Sequence, residues 1–234
     1  MQGEGAEEKQ RELVYRHIAW LTALRHQLRL AKPWEHTDIR LNTLFPGTVC
    51  EDYNNRLERE LEPLISKEEI KHVLSKANPA TQLMKNQSLK LQNLKDEGRY
   101  DDFRHMELHQ LMVSFYADQG KSERIKNFPF LRQYASTALW LTWVFAALLP
   151  LALLDIFQTK GEVFIWFTPV VAGLIIWIFF LMEKIGDYSE NPFEGTYNDV
   201  PITTIARGIE IDLREMMNEK EVPSLPSTEY GFQM

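Results

Sequence analysis

The chain has few residues of the kinds that form covalent or metal-held cores, and it carries no recognisable catalytic motif. Cys50 is the only cysteine among 234 residues, so neither an intramolecular disulfide nor a thiolate zinc site is available. No glycine-rich phosphate loop, nucleophile elbow or kinase motif occurs. Clustered basic residues are also missing, and the formal net charge is −7. These absences predict a protein that is not an enzyme, has no cofactor or metal, and does not bind nucleic acid.

Charge is absent from two long stretches late in the chain, Tyr134 to Leu154 and Val163 to Met182. About 20 helical residues cross the hydrocarbon core of a bilayer, and both stretches reach that length. The alternative is a buried hairpin in a soluble protein, but such long uncharged stretches rarely occur there in pairs. The low mean hydropathy of −0.31 averages these stretches with about 130 polar residues before them. We therefore predict a transmembrane helical hairpin.

The orientation of the hairpin follows from its flanking charges. Basic residues precede the first span (Lys121, Arg124, Lys126 and Arg132), and Lys184 follows the second. The positive-inside rule then places both termini of a multi-pass protein in the cytoplasm, in a cell (inner or plasma) membrane. The start of the chain has no apolar core behind a basic segment, so we expect no cleaved signal. Pro150 and Pro169 lie within the spans and can bend them.

The polar regions read as helices separated by turn signals. Apolar residues recur at helical spacing from Leu13 until Lys32-Pro33, and Ser66 with Glu69 forms a capping box for a second helix. A third helix follows Asn78-Pro79, is marked by Leu83, Gln87, Leu91 and Leu94, and ends at Gly98, and a fourth covers Asp101 to Gln119. After Asn191-Pro192, a last amphipathic helix is predicted with one apolar stripe, made of Ile205, Ile209, Leu213 and Met216.

These patterns predict an all-α membrane protein with a transmembrane hairpin and a cytoplasmic helical bundle. We divide it into a cytoplasmic helical region (1–132), the hairpin (133–183, with spans at about 134–154 and 163–182), a cytoplasmic segment and helix (184–218) and a flexible tail (219–234). The tail contains Pro223 and Pro226 and has no periodicity.

Histidines give only weak functional signals. His105 and His109 stand four residues apart, which places both on one helix face, but no third metal ligand is indicated. A solvated helix face is the preferred interpretation. His17 and His26 are interpreted as partly buried helix residues with satisfied hydrogen bonds.

Three segments together are more specific: His17 to Arg29, Gly120 to Pro129 and Glu190 to Arg214. Their order and spacing resemble the bestrophin family, in particular its bacterial branch, from about Leu13 to Met217. The residues that carry the resemblance are His26, Arg29, Gly120, Glu123, Arg124, Pro129, Asn191, Pro192, Phe193 and Asp199.

The resemblance implies an ion channel, usually for chloride or other anions, built as a homopentamer of all-helical subunits in the lipid bilayer. Members have four membrane segments, and the second lines a narrow neck. That part of the family pattern precedes the matched region. We expect either a fragment of a longer channel, which we favour, or a natural short form without the usual neck.

The same comparison marks other features. Ser122 stands where the family has a cysteine, and we expect packing to survive this change. The stretch Glu194 to Asp199 holds too few carboxylates for the six to eight oxygens that calcium prefers, so calcium gating is not expected. The resemblance implies a cytosolic constriction at Phe115, with Leu111 and Met112 as neighbours. The alternative is that these residues form part of a core stripe.

The sequence therefore predicts a pore-forming subunit of a bestrophin-like anion channel. Its partners would be further copies of itself, the bilayer and a permeant ion, with chloride preferred. The alternatives are a membrane-anchored helical interaction or scaffold protein, and a non-conducting fragment of such a channel.

Overall fold

A computed structural model of the chain describes residues 5–32, 35, 53–128, 132–195 and 199–226. The regular elements within these ranges are helices, and no strand occurs among them. In chain order they are α1 (Ala6–Arg29), α2 (Tyr53–Leu61), α3 (Lys67–Leu74), α4 (Pro79–Asp96), α5 (Asp102–Asn127), α6 (Arg132–Gln158), a 3₁₀ helix (Glu162–Phe167), α7 (Thr168–Tyr188) and α8 (Ile202–Met216). The predicted all-α class is confirmed.

The chain forms two compact units. The first is a helical bundle that comprises Met1–Asn127 and Pro192–Met234, and the second is the hairpin of Phe128–Asn191. The bundle is thus made from two separate parts of the sequence. The predicted region boundaries at 132, 183 and 218 stay predictions.

Helix α1 is the central element of the bundle, where it packs against α2, α4, α5 and α8. Ile18 and Leu28 are fully buried along it. A helix enclosed on several sides also buries positions that amphipathic patterning would leave in water. Arg16, Arg25 and Arg29 are accordingly buried, so each of them requires a partner inside the bundle.

Helix α4 has the core stripe and the end signals that the sequence predicts. Asn78 caps its start, where the side-chain oxygen accepts from the Thr81 N–H at 2.9 Å. Gly98 ends it with φ 70°, and the Arg99 N–H reaches back to the Leu94 carbonyl at 3.0 Å. The predicted stripe is buried: Leu83, Gln87, Leu91 and Leu94.

The capping box predicted for α3 is only half formed. Ser66 Oγ accepts from the Glu69 N–H at 3.3 Å, as expected. The Glu69 carboxylate does not return to the helix start but accepts from Arg16 at 2.9 and 3.1 Å and from Asn86 at 2.9 Å. The prediction for Glu69 was wrong because a buried guanidinium gains more from a carboxylate than an exposed helix end does.

The apolar stripe predicted for α8 is displaced around the helix. Ile202 and Leu213 pack against the core, and Glu210 is buried between them in sequence. Ile205, Ile209 and Met216 are exposed and lie to one side of that face, so the four residues share one side of the helix as predicted but only Leu213 packs against the core. The side of α8 that is buried includes Glu210, which forms ion pairs with Arg207 and Arg214. The apolar pattern alone therefore does not determine which side is buried.

The second unit is a helical hairpin whose apolar side chains face outward. Two helical segments are long and apolar enough to cross a membrane, Ser136–Gln158 and Glu162–Asp187. They pack through aromatic contacts, with the rings of Trp143 and Phe180 edge to face at 5.0 Å. Large apolar surfaces without cover are unfavourable in water and favourable in lipid.

The prolines of the hairpin differ in their effect. Pro150 lies inside α6, where it removes a helical hydrogen bond. Pro169 lies in the first turn of α7, where its missing N–H has no intrahelical partner to lose. Pro169 thus lies where the 3₁₀ helix changes to α7, inside the apolar segment Glu162–Asp187, and a bend of the span at this residue stays a prediction.

Candidate functional site

The residues of the Asn-Pro-Phe segment and of the end of α1 meet at one buried carboxylate. Asp199 accepts hydrogen bonds from the backbone N–H groups of Phe193 and Gly195 at 2.7 Å and of Val200 at 2.6 Å. It also accepts from Arg29 Nη1 at 2.6 Å, and both side chains are 3% exposed. The second nitrogen, Arg29 Nη2, donates to the Val200 carbonyl at 3.0 Å.

The loop around Asp199 has a backbone that directs its N–H groups inward. Phe193 has φ 66° and Gly195 has φ 96°. A left-handed conformation is unfavourable for phenylalanine and suits glycine. The Phe193 ring packs against the hydrophobic core, and its N–H bonds to Asp199, so these contacts offset the strain.

A second buried ion pair lies beside the first. Lys126, near the end of α5, pairs with Glu35, and their side chains are 2% and 5% exposed. Lys126 Nζ also lies 3.4 Å from the Phe193 carbonyl, and Glu35 accepts from the Lys32 N–H at 2.9 Å. This pair connects α5 to the segment after α1.

We call Arg29, Glu35, Lys126, Asp199 and the Phe193–Gly195 turn the Asp199 cluster. Its two cations and two anions balance, so the burial of charge is compensated. Both carboxylate oxygens of Asp199 already accept hydrogen bonds from the chain's own groups. The cluster therefore holds the chain's own elements together through ion pairs and hydrogen bonds. The expectation that calcium does not gate the protein stays a prediction.

The Glu123 side chain of the second motif segment joins three helices. Its Oε1 accepts from Gln119 Nε2 at 2.7 Å, Gln27 Nε2 at 3.0 Å and Asn78 Nδ2 at 3.0 Å. Gln119 in turn accepts from the Trp20 indole N–H at 2.8 Å. This network fixes α5 against α1 and α4, so Glu123 has a positioning role in the bundle.

His26 belongs to a third buried cluster, with Arg25 and Glu60. Arg25 pairs with Glu60, and His26 Nε2 lies 3.2 Å from the same carboxylate. Burial alone would raise the pKa of Glu60, but the hydrogen bond of His26 and the charge of Arg25 outweigh it and lower the pKa from 4.5 to about 2. The carboxylate is therefore ionised at neutral pH.

The three predicted constriction residues have different surroundings in the chain. Met112 is 8% exposed, and Phe115 is half-buried with its ring 4.9 Å from His17 and 5.6 Å from Trp20. Leu111 is 54% exposed. For Met112 and Phe115 these contacts favour the alternative of a core stripe, and a constriction at Phe115 stays a prediction.

The other residues that carry the family resemblance differ in their exposure. Gly120 and Arg124 are exposed, Asn191 and Pro192 are half-buried, and Pro129 lies outside the described residues.

Histidine and serine side chains at the remaining marked positions make local contacts. The His105 Nδ1 lies 3.2 Å from the Tyr100 hydroxyl, and the rings of His105 and His109 stack at 6.2 Å. Burial lowers the pKa of His17. Ser122 donates to the Asp118 carbonyl at 3.0 Å. Within the described ranges, no group of three or more His, Cys, Asp or Glu is placed to hold a metal ion.

Sequence reasoning missed the partners that make these clusters. It did not find Glu35, Gln119 or the buried state of Lys126, which was interpreted as a charge flanking the membrane. The sequence contained one usable signal: Arg25 and Arg29 stand four residues apart in a part of α1 where most other residues are apolar. Such positions predict buried charge, but not the identity of the counter-ion.

We expect Asp199→Asn to destabilise the bundle strongly. The variant keeps the shape of the side chain but leaves the buried Arg29 guanidinium without a counter-charge, a loss of about 3–5 kcal/mol in the free energy of unfolding. Denaturant unfolding of the detergent-solubilised chain, followed by circular dichroism, measures it. The control Asp212→Asn changes an exposed carboxylate on α8, and an equal loss in both variants would contradict the role of the cluster.

The lowered pKa of Glu60 predicts that the folded chain loses stability in acid. Its pKa is about 2 in the folded chain against 4.5 for the free group, so its stabilising contribution is complete above about pH 4.5 and is lost as the pH falls towards 2. Unfolding measured between pH 6 and pH 2 should show this loss. Glu60→Gln should remove that part of the pH dependence, whereas the exposed Glu58→Gln on α2 should retain it, and identical pH profiles for both variants would refute the assignment.

Similar proteins carry channel names. The chain is 27% identical over 165 residues to the voltage-dependent anion channel-forming protein YneE of Escherichia coli K12, which covers 70% of this chain and 52% of that protein. It is 26% identical over 156 residues to the voltage-dependent anion channel-forming protein mll4386 of Mesorhizobium japonicum, with 67% and 48% covered. The chain spans about half the length of the curated relatives it matches. By name these relatives are channels, not enzymes.

Solved structures agree with the fold. A bacterial bestrophin homolog from Klebsiella pneumoniae superposes with a TM-score of 0.73 at 19% identity, over 92% of this chain and 69% of that one. A mutant of the same homolog gives 0.72 at 20% identity, with 92% and 68% covered. The family model described as Bacterial/Fungal Bestrophin protein matches residues 1–215. The chain therefore belongs to the bacterial and fungal bestrophin family.

Proposed function

We propose that the chain is a pore-forming subunit of an anion channel in a cell membrane. The observation that carries this proposal is the family match over residues 1–215, together with the anion-channel names of the relatives. The two outward-facing apolar helices α6 and α7 support it, since they are suited to lipid. Transport would be passive, with selectivity arising from pore radius and wall electrostatics.

The proposed topology is multi-pass, with both termini in the cytoplasm. The basic residues Lys121 and Arg124 before α6 are exposed, as is Lys184 at the end of α7, and they support this orientation. Lys126 contributes less than its position suggests, because its charge is neutralised by Glu35. The proposal keeps the four predicted regions, and residues 227–234 of the last one lie outside the described residues.

The proposed assembly is a homopentamer that conducts chloride. Helix α5 supports self-association, because it buries one side in its own bundle and exposes apolar residues on the other. The buried side contains Leu108, Met112, Phe115 and Gln119. At 100° per residue, the opposite side contains Phe103, Met106, Gln110, Val113, Ala117 and Lys121, and all of these residues are exposed.

We propose that this outward side of α5 faces the ion path. It runs from apolar residues near the start of the helix to Lys121 near its end. The Lys121 ammonium pairs with exposed Asp118 at 2.8 Å, so this end of the wall is polar, with its positive charge partly offset. At 100° per residue, Leu111 lies nearer to the buried side of α5 than to this outward side. A constriction at Phe115 would require its ring to leave the contacts with His17 and Trp20.

The second candidate function is a membrane-anchored helical interaction protein, and a non-conducting fragment of a channel is a variant of it. The exposed apolar residues Ile205, Ile209 and Met216 on α8 favour this candidate, because they offer a surface to a partner. The two candidates differ in oligomeric state and in ion flux.

Reconstitution tests the main proposal directly. The purified chain in liposomes should carry a chloride flux, measured with an encapsulated chloride-sensitive dye, that rises with the amount of protein. Its mass in detergent, from light scattering, should be that of five copies. A monomer without flux would contradict the channel and favour the anchored interaction protein.

Cysteine substitution tests which side of α5 lines the pore. In a Cys50→Ser background, which has no other cysteine, a negatively charged methanethiosulfonate reagent should reduce the chloride flux of Met106→Cys and Val113→Cys by at least about half. The control Leu89→Cys places an exposed thiol on α4 and should retain full flux. Inhibition confined to Phe115→Cys would instead support the constriction predicted from the family resemblance.

A further inference from the structure

Two histidines, His105 and His109, lie on one side of α5 within its first three turns. Their rings stack with centroids 6.2 Å apart and planes inclined by 19°. His105 is half-buried and His109 is exposed, so solvent reaches the pair. At 100° per residue, both lie between the buried side and the outward side of α5. They are therefore separate from the Asp199 cluster and from the residues proposed to face the ion path.

The hydroxyl group of Tyr100 fixes which nitrogen of His105 carries the proton. Tyr100 precedes α5 and donates its only hydroxyl hydrogen to the Leu91 carbonyl of α4 at 2.6 Å. The same oxygen lies 3.2 Å from His105 Nδ1, so it acts as the acceptor in that contact. Neutral His105 thus carries its proton on Nδ1 and has its lone pair on Nε2. Burial raises the pKa of Tyr100, so the hydroxyl keeps its hydrogen at neutral pH.

This contact is of the kind that prepares a histidine to bind a metal ion. A metal-ligating imidazole donates its other ring N–H to an oxygen, which orients the ring and makes the ligating nitrogen more basic. The Tyr100 oxygen has this position for His105. His109 follows four residues later, a spacing at which two imidazoles on one helix bind the same ion. The spacing is present in the sequence, but the orienting oxygen is supplied by the fold.

The separation of the two rings suits a shared ion after a small movement. With zinc–nitrogen distances of about 2.0–2.1 Å and tetrahedral angles, two ligating imidazoles have their centroids roughly 5 Å apart. The observed separation of 6.2 Å is about 1 Å longer than this value. Because His109 is exposed, its side chain can turn to close the difference while His105 keeps its contact with Tyr100.

The charge around the pair also favours a cation. Asp102 lies one turn before His105 on the same side of α5. The hydrogen bond from Lys95 and the charges of Lys95 and His105 lower the pKa of Asp102, so its carboxylate is ionised close to the histidines. Asp102 is 78% exposed, and its pairing with Lys95 is therefore weak. No third protein ligand is in place among the residues that the structure describes, which leaves the other coordination positions to water.

We propose that His105 and His109 form a binding site for one divalent transition-metal ion such as zinc, with His105 Nε2 and a ring nitrogen of His109 as ligands and Tyr100 as a positioning residue. Imidazole suits zinc, copper and nickel ions, whereas magnesium and calcium prefer oxygen ligands. The bound ion links two successive turns of α5, and Tyr100 connects these turns to α4. Binding therefore stabilises the folded chain.

Zinc chloride is the probe for this site. Calorimetric titration of the purified full chain in detergent should show one zinc ion per chain that depends on both histidines, and zinc should raise the unfolding temperature. Magnesium chloride at the same concentrations should give neither effect, because imidazole does not suit this ion.

Two ligand variants and one matched control locate the site. His105→Gln and His109→Gln should each weaken zinc binding by roughly tenfold or more, because a single imidazole cannot chelate the ion. The control His72→Gln removes an exposed histidine of α3 and should leave the affinity unchanged.

Tyr100→Phe tests the positioning role, because it removes the orienting oxygen and keeps both ligands. It should weaken zinc binding by roughly tenfold. Circular dichroism of this variant without zinc should match that of the unchanged chain, which separates the loss of orientation from local unfolding of α5.

Several outcomes would overturn the proposal. They are the absence of zinc binding, equal zinc affinity in His105→Gln and His72→Gln, and a loss of affinity in only one of the two ligand variants. An unchanged affinity in Tyr100→Phe would refute the role of the hydroxyl. Because the readout is metal binding and not ion flux, a failure of the channel proposal leaves this test unaffected.

Discussion

Burial of charge along α1 is the constraint on which the bundle depends. The helix is enclosed by α2, α4, α5 and α8, yet it carries three buried arginines, and each one has a carboxylate from a different element. Arg16 pairs with Glu69 of α3, Arg25 pairs with Glu60 of α2, and Arg29 pairs with Asp199 of the loop before α8. An unpaired buried charge is so costly that these elements have few other positions in which the bundle is stable.

The same constraint acts at the two points where the chain leaves and re-enters the bundle. Lys126 lies just before the chain enters the hairpin, and Phe193 lies just after it leaves. Both belong to the Asp199 cluster, where Lys126 contacts the Phe193 carbonyl. The positions at which the chain leaves and re-enters the bundle are thereby fixed by buried ion pairs. In the proposed channel, this holds α5 in one orientation, with its outward side away from the core.

Particular residues show how far sequence patterns reach. The stripe of α4 and its end at Gly98 were predicted correctly, because spacing and local backbone chemistry decide them. The role of the Glu69 carboxylate was predicted wrongly, because the deciding partner lies elsewhere in the chain. Glu69 turns to Arg16, 53 residues away. For α8, the ion pairs of Glu210 select a face that the periodicity of Ile205 and Ile209 does not indicate.

The sequence by itself determined the helical class, the two apolar spans and the family, since these depend on composition, periodicity and ordered motifs. The tertiary structure alone decided which charges are buried and what neutralises them. Local pattern gives the side of a helix on which Arg25 or Arg29 lies, but Coulomb energy acts through space, and their partners Glu60 and Asp199 are 35 and 170 residues distant in sequence.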